Sequence, residues 1–153
     1  MVPKPKPEKT KKKKRGKYVS PRKRLEIQLD DACRRYVKLR DGRCVICGSI
    51  ENPQWGHLVT CACSRLRWNL KNVNQQCRDC NFRHEIRPEI YINWFINKWG
   101  LEEWNKLYAL SQIQNFRWSI SELELMLVDL QDKLSQIENR SVYVEEPGRY
   151  KEL

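Results

Sequence analysis

Two C-x-x-C pairs, Cys44–Cys47 and Cys77–Cys80, are separated by 29 residues and are spaced to share one metal ion. A turn of this spacing presents two sulfurs together, and zinc prefers four thiolates in a tetrahedron. A full four-cysteine shell leaves zinc no open position, so we predict a structural Zn²⁺ that holds the fold and does no chemistry. The alternatives are four ordinary buried cysteines or a redox pair. The turn residues Gly42 and Gly48 beside the first pair argue against both alternatives.

The other three cysteines fall outside this pattern. We predict that Cys33 is a core residue and that Cys61 and Cys63 are small loop residues rather than ligands. Seven is an odd number of cysteines, which a closed disulfide framework would leave unpaired. No secretory signal and no run of about 18–20 apolar residues is visible, so we expect a cytoplasmic protein with reduced thiols and no membrane partner.

The chain has two histidines, His57 and His84. A neutral imidazole can accept a proton from water near neutral pH, which is the task of a general base in hydrolysis. The alternative is a structural role, and for His84 this would be to cap or pack a short helix. Asn72 is structural on either interpretation, and Asn81 is also typical of a helix start.

The residues from Gly56 to His84 resemble the motif of HNH (ββα-metal) nucleases. The pair GH at 56–57 lies between the two C-x-x-C pairs. The segments NVNQQC at 72–77 and CN..H at 80–84 complete the motif. With LRWN at 66–69, Pro88, Tyr91 and KWG at 98–100, the pattern is similar to the phage NinG/Rap recombination nucleases over about residues 36–110. The CN..H end also resembles phage endonuclease VII, a Holliday-junction resolvase.

The resemblance implies a role for each matching residue. His57 would be the general base that activates water, and Asn72 would brace the loop that holds it. Asn81 would bind a catalytic Mg²⁺ or Mn²⁺, and His84 would be the last metal-binding or transition-state residue. Many HNH enzymes have Asp directly before the catalytic His, whereas this chain has Gly56, as members resembling NinG do.

Because Gly56 has no side chain, the motif lacks one of the ligands that many HNH enzymes provide for the catalytic metal. Asp79 and Glu85 are acidic residues near the motif, but their positions in the sequence do not favour either as the missing ligand.

Positive charge is concentrated at the start of the chain. Residues 1–24 hold twelve of the 30 Lys and Arg residues but one of the 19 acidic residues. Such an arm gives strong, salt-dependent affinity for DNA, and a solubility tail or an RNA-binding tail is the alternative. The predicted contacts to nucleic acid in this arm are Lys11, Lys12, Lys13, Lys14 and Arg15.

Arginines within the motif are further candidates for phosphate contacts, because guanidinium groups bind phosphate in a bidentate manner. The candidates are Arg65, Arg67, Arg78 and Arg83; an ordinary solvated face is the alternative. Trp94, Phe95 and Trp99 recur at helical spacing and are predicted to be core residues. Trp55 and Trp68 flank the candidate site and remain candidates for base stacking.

Helices and two short strands are predicted to position these residues. The pattern predicts helices over residues 20–41, 88–99 and 101–111. It also predicts a helix that begins within residues 77–80 and ends at 86, and one that begins at the capping box of residues 119–122. Short strands are predicted near residues 53–59 and 72–76. The predicted fold class is therefore α+β, mainly helical, with a small zinc-bound ββα-metal core, flanking helices and a long C-terminal helix. The predicted divisions are a disordered arm at 1–19, a nuclease domain at 20–111, an amphipathic helix at 112–139 and an irregular tail at 140–153.

The main hypothesis is a metal-dependent endonuclease that acts on branched DNA, in the cytoplasm of a bacterial host of a phage or mobile element. The first alternative is a non-catalytic zinc-stabilised DNA-binding protein on a degenerate HNH scaffold, and the second is an RNA-binding accessory protein. The apolar seam of the terminal helix either packs on its own domain or forms a homodimer.

Overall fold

The computed structural model describes residues 18–144, with side chains for residues 18–139. Its elements, in chain order, are α1 (Pro21–Asp41), β1 (Pro53–His57), β2 (Val73–Cys77), α2 (Arg78–Ile86), α3 (Pro88–Trp99), α4 (Leu101–Ser111) and α5 (Ile120–Val144). The fold is α+β and mainly helical, as the sequence predicts. The arm residues Lys11 to Arg15 lie outside the described residues.

Helix α1 begins and ends where its sequence signals predict. The Ser20 side chain accepts a hydrogen bond from the Lys23 backbone N–H at 3.3 Å, and Pro21 occupies the first turn. Gly42 ends the helix in a left-handed conformation (φ 66°) that favours glycine, and its N–H donates to the Lys38 carbonyl.

The sheet consists of β1 and β2, which pair antiparallel with Pro53 opposite Cys77 and His57 opposite Val73. Both strands differ slightly from the predicted bounds, since β1 ends at His57 and β2 continues to Cys77. Strand β2 is buried along its whole length although three of its five residues are Asn or Gln. Such polar side chains are stable in a core only where other groups satisfy them.

Helix α5 packs along α1 and provides the larger core cluster. Leu123, Leu127 and Leu130 are buried against α1 residues such as Leu29 and Val37. Their three- and four-residue spacing places them on one face of the helix. The apolar seam therefore packs on its own domain, which is one of the two arrangements that the sequence predicts.

The bounds of α5 correct two predictions. The helix begins at Ile120, so residues 112–119 are not helical, and it continues through residues 140–144, which were predicted to be irregular. Its start matches the predicted capping box, because Ser119 Oγ accepts from the Glu122 N–H and Glu122 Oε2 accepts from the Ser119 N–H. Residues 140–144 contain neither Gly nor Pro, so nothing in them stops a helix.

Helices α3 and α4 form a hairpin with a second core cluster centred on Tyr91, Phe95 and Leu107. The prediction for Trp99 is wrong, because this side chain is 37% exposed and lies beside the ammonium groups of Lys71 and Lys98. Within residues 18–144, no helix is both long and apolar enough to cross a membrane.

Candidate metal centre and histidine cleft

The four cysteines of the two C-x-x-C pairs meet in one cluster. Their Sγ atoms all lie within 4.8 Å of one another, and those of Cys47 and Cys77 are 3.6 Å apart. Zinc–sulfur bonds of about 2.3 Å in a tetrahedron place sulfurs about 3.8 Å apart, so the cluster has the size of a zinc shell. Cys44, Cys77 and Cys80 are buried and Cys47 is exposed.

The electrostatics of the cluster also suit a cation. Burial raises the pKa of Cys44, but backbone hydrogen bonds outweigh this effect and lower the pKa to about 7. Burial and the neighbouring thiols Cys47 and Cys77 raise the pKa of Cys80. A divalent metal favours the thiolate form at every position, so the four residues can hold an ion such as zinc.

The cluster fixes where α2 begins. Cys77 is the last residue of β2 and the N-cap of α2, and its sulfur accepts a hydrogen bond from the Cys80 N–H at 3.5 Å. The remaining cysteines lie apart from it, with Cys33 fully buried in the core, Cys61 exposed and Cys63 half-buried. A metal here would attach β2 and α2 to the turn that follows α1.

The last residue of β1, His57, is half-buried at the edge of an open cleft. Its Nε2 lies 2.9 Å from the Arg67 carbonyl oxygen, which can only accept a hydrogen bond, so Nε2 carries the proton. In the neutral ring Nδ1 is then the atom able to accept a proton. Burial lowers the pKa of His57 below its ordinary value of 6.5, and the hydrogen bond to Arg67 offsets only part of this effect.

Asn72 is fully buried and bonds three backbone groups of the loop between the strands. Its Oδ1 accepts from the Val59 N–H at 2.7 Å, and its Nδ2 donates to the carbonyls of Val59 and Leu66, each at 3.0 Å. The loop that Asn72 closes carries the Arg67 carbonyl. Asn72 therefore acts on His57 indirectly, through the position of its hydrogen-bond acceptor.

The cleft beside His57 has a volume of about 420 Å³. It is lined by Trp55, His57, Thr60, Cys61, Arg67, Asn81, His84 and Glu85. Asn81 Nδ2 donates to Gln54 Oε1 at 2.9 Å, which fixes the orientation of its amide. Three of the four residues implied by the resemblance thus reach one cleft, whereas Asn72 lies behind it.

The two nitrogens of His84 have different surroundings. Its Nε2 donates to the Leu58 carbonyl at 3.1 Å, and its Nδ1 is buried and has no hydrogen-bond partner in the described part of the chain. The ring packs edge-on against Tyr91, with centroids 5.1 Å apart. The Leu58 carbonyl thus occupies Nε2, and a metal-binding role for His84 stays a prediction.

The space beside Gly56 is filled by Gln76. A Cβ added to Gly56 would lie 1.9 Å from Gln76 Oε1, and the Gln76 side chain is fully buried. Tyr91 also donates to the Gly56 carbonyl at 3.2 Å. At the position where many HNH enzymes have Asp, a side chain would therefore fit only if the Gln76 side chain moved.

The four motif arginines do not share one surface. Arg67 forms two hydrogen bonds with Asp30, at 2.9 and 2.6 Å, so its charge is already paired. The Arg65 guanidinium lies 4.0 Å from the Phe116 ring centroid, in a separate pocket. Arg78 and Arg83 are exposed beside the cysteine cluster.

The two tryptophans near the site also separate. Trp55 lines the cleft and packs edge-on against His57, with ring centroids 4.7 Å apart. Trp68 is a buried core residue, and its Nε1 donates to Asp30 at 2.8 Å. Of the two, only Trp55 offers an aromatic surface to the cleft.

Glu85 is the cleft residue that the sequence left undecided. It lines the cleft with Asn81, whereas Asp79 lines the pocket beside the cysteines. The spacing in the sequence could have identified Glu85, because Asn81 and Glu85 are four residues apart and so share one face of α2. Asn81 and Glu85 together present an amide and a carboxylate, the oxygen donors that Mg²⁺ prefers.

Among the residues that the structure describes, the four cysteines form the only group of three or more His, Cys, Asp or Glu side chains close enough to hold one metal ion.

Comparison with known protein families gives one match that spans most of the chain. The family model described as "NinG: Bacteriophage Lambda NinG protein" matches residues 3–140. No solved structure matches the chain.

Individual relatives agree with the family match. The chain is 29% identical over 126 residues to "Protein ninG" of Escherichia phage lambda, covering 79% of this chain and 61% of that protein. It is 28% identical over 126 residues to the protein of the same name from Escherichia phage 933W, covering 79% and 62%. For Salmonella phage P22 the identity is 26% over 124 residues, covering 78% and 60%. The chain thus spans about three-fifths of the length of these relatives.

Proposed function

This chain belongs to the NinG family of phage proteins, and from that premise we propose that it is a metal-dependent HNH-type endonuclease that cuts branched recombination intermediates. The observation that carries the proposal is the environment of His57. Its Nε2 is held by the Arg67 carbonyl and its pKa is lowered, so the ring is neutral at pH 7. A neutral, oriented imidazole at the edge of an open cleft is what a general base requires.

His57 would accept the proton of the attacking water at Nδ1. As the imidazolium forms, the Arg67 carbonyl stabilises the N–H at Nε2 and keeps the ring in place. Asn72 supports this arrangement through the backbone of the loop. Positioning a base in this way typically contributes about 10²- to 10⁴-fold to the rate.

Asn81 and Glu85 are the residues that would hold the catalytic metal. Their oxygens suit Mg²⁺ or Mn²⁺, and both line the cleft that His57 borders. Such an ion would stabilise the charge that develops on the phosphate and the leaving oxygen. Glu85 would supply the ligand that the motif implies for His84, because the Leu58 carbonyl occupies Nε2 of His84.

The arrangement of elements supports the same class. The order β1–β2–α2 follows the ββα pattern of HNH nucleases, and the cysteine cluster lies where β2 meets α2. Zinc there would be structural, because four cysteines fill its coordination shell. The preference for branched DNA rests on the resemblance to the NinG/Rap nucleases alone.

The test is cleavage of a labelled four-way junction and of the matching linear duplex, with Mg²⁺ or Mn²⁺. Wild type is compared with His57→Gln, whose amide can still donate to the Arg67 carbonyl but cannot act as a base. We expect junction-selective cutting that falls at least about 100-fold in the variant, since general-base catalysis is lost, while junction binding and metal content are unchanged. A His57→Gln protein that cuts as well as wild type would overturn the assignment.

A non-catalytic DNA-binding protein is the second candidate function, and two observations favour it. Gln76 fills the space beside Gly56, and the Leu58 carbonyl occupies Nε2 of His84. Both features reduce the ligands available to a catalytic metal. Wild-type protein that binds the junction but cuts neither substrate with either metal would favour this function, and competition by structured RNA at fixed salt would separate an RNA-binding role.

A further inference from the structure

A second groove adjoins the His57 cleft, between the C-terminal half of α1 and strand β1. Its volume is about 490 Å³, within the roughly 300–1,000 Å³ of small-ligand sites. Arg34 and Lys38 form one side, and Pro53 and Trp55 line the other. This groove has no role in the chemistry assigned to His57.

The groove and the cleft share two residues. Trp55 and Asn81 line both spaces, so an extended ligand in the cleft would continue into the groove across these side chains. Asn81 is held in place there by its hydrogen bond to Gln54 of β1.

Charge in the groove is positive and unpaired. Arg34 and Lys38 are four residues apart and exposed on one face of α1, and no acidic partner lies within ion-pair distance of either among the described residues. Neighbouring arginines differ, since Arg35 pairs with Glu138 at 2.7 Å and Arg40 with Asp41 at 2.7 Å. The two free cations therefore favour an anionic ligand.

Aromatic and polar groups complete the groove. The Arg34 guanidinium carbon lies 5.0 Å from the Trp55 ring centroid, which holds the cation and the indole together. Gln75, directly opposite Trp55 in the sheet, is 4% exposed and lines the groove, and its Oε1 has no hydrogen-bond partner in residues 18–139. A buried acceptor without a donor is unfavourable, and a ligand amino group would satisfy it.

We propose that this groove binds a nucleotide of the DNA strand next to the cut. Arg34 and Lys38 hold its phosphate, while its base lies against Trp55 with Gln75 as hydrogen-bond acceptor. The proposal rests on the proposed function for the path of the strand, but binding in the groove needs no catalysis. Single-stranded DNA fits best, because a planar base must be free to reach the indole.

The experiment measures fluorescence anisotropy of a labelled single-stranded oligodeoxynucleotide, with full-length protein, over a series of salt concentrations and without added divalent metal. The Arg34→Ala/Lys38→Ala double variant is compared with Arg35→Ala/Lys23→Ala. The control pair also removes two cations from exposed positions of α1, but both of these have acidic partners. Alanine suits a helix, and urea unfolding verifies that both proteins fold.

We expect the groove variant to bind about ten-fold more weakly at low salt, with a salt slope reduced by about 0.7, because one phosphate is no longer neutralised. Trp55→Leu should weaken binding about ten-fold with an unchanged slope, because stacking is not an ionic contact. Equal affinities and slopes for the groove and control variants would overturn the proposal. If no DNA is cut but the binding differences are observed, the nuclease assignment is wrong and the groove proposal is supported. If junctions are cut but the binding differences are missing, the nuclease assignment is supported and the groove proposal is wrong.

Discussion

At the scale of single residues, His57 and His84 line the same cleft but differ at one ring nitrogen. Each donates its Nε2 proton to a backbone carbonyl, that of Arg67 for His57 and that of Leu58 for His84. In His84 the Nδ1 atom is buried and has no hydrogen-bond partner among the described residues. In His57 the unprotonated Nδ1 is the atom that we propose as the base.

The pH dependence of cleavage tests the state of His57. Burial lowers its pKa below 6.5, so the ring stays neutral, and able to accept a proton, to a lower pH than an exposed histidine. We expect the cleavage rate to be constant near neutral pH and its acid-side midpoint to lie below pH 6.5. Junction binding and circular dichroism at each pH separate this effect from unfolding, and a midpoint above 6.5 with intact structure would contradict it.

The Gly56→Asp variant tests whether this position can accommodate the Asp that many HNH enzymes have before their catalytic His. We expect loss of stability by about 1–3 kcal/mol from overpacking, because a Cβ at residue 56 would lie 1.9 Å from Gln76 Oε1. Urea unfolding measures the change. Gly56→Ala should be destabilised for the same reason, and Gly56→Ala with Gln76→Ser should recover part of the loss. A stable and more active Gly56→Asp protein would show that the Gln76 side chain moves aside readily.

At the scale of elements, α1 supports the site from its middle and from its C-terminal end. Asp30 near its middle binds Arg67 and the Trp68 indole, so α1 holds the loop whose carbonyl orients His57. Arg40 at its end donates to the carbonyls of Leu70 and Val73 and thereby anchors the start of β2. Helices α1 and α5 pack in the core cluster that includes Trp68 and Val73, and Trp55 of the cleft packs against this cluster. Packing between the two helices therefore supports the cleft.

Two leucines of α5 test that packing. Leu130 is 3% exposed against α1, and Leu125 on the same helix is 71% exposed. We expect Leu130→Ala to lose about 2–5 kcal/mol of unfolding free energy and Leu125→Ala to lose under about 0.5 kcal/mol. Urea unfolding at two protein concentrations gives both values. A large, concentration-dependent loss in Leu125→Ala would instead indicate that the exposed face of α5 forms the homodimer that the sequence leaves open.

At the scale of the whole molecule, features that depend on neighbouring residues could be predicted from the sequence, whereas features that depend on contacts between distant residues could not. The bounds of α1 and the cysteine cluster depend on local residues, such as Ser20, Gly42 and fixed C-x-x-C spacing, and both were predicted. The extent of α5 was missed because its C-terminal end carries no stop signal. The filled space at Gly56 and the surroundings of His84 depend on which residues meet in the folded chain, such as Gln76 beside Gly56 and Tyr91 beside His84. The order of the motif residues does not contain this information.

The cysteine cluster makes the last prediction, because it joins the turn after α1 to β2 and α2. Cys47 and Cys61 are both exposed, but only Cys47 belongs to the cluster. We expect one zinc per wild-type chain, measured by elemental analysis, and the same in Cys61→Ser. Cys47→Ser should retain less metal and melt about 10 °C or more lower, since metal binding of order 10 kcal/mol contributes to folding. Strong chelation of wild type should reproduce that loss. After dialysis into Mg²⁺ without zinc, junction cutting should stay abolished, because α2 carries Asn81 and Glu85 into the cleft. Equal metal content and melting temperature in the two serine variants would mean that the four sulfurs do not hold a metal together.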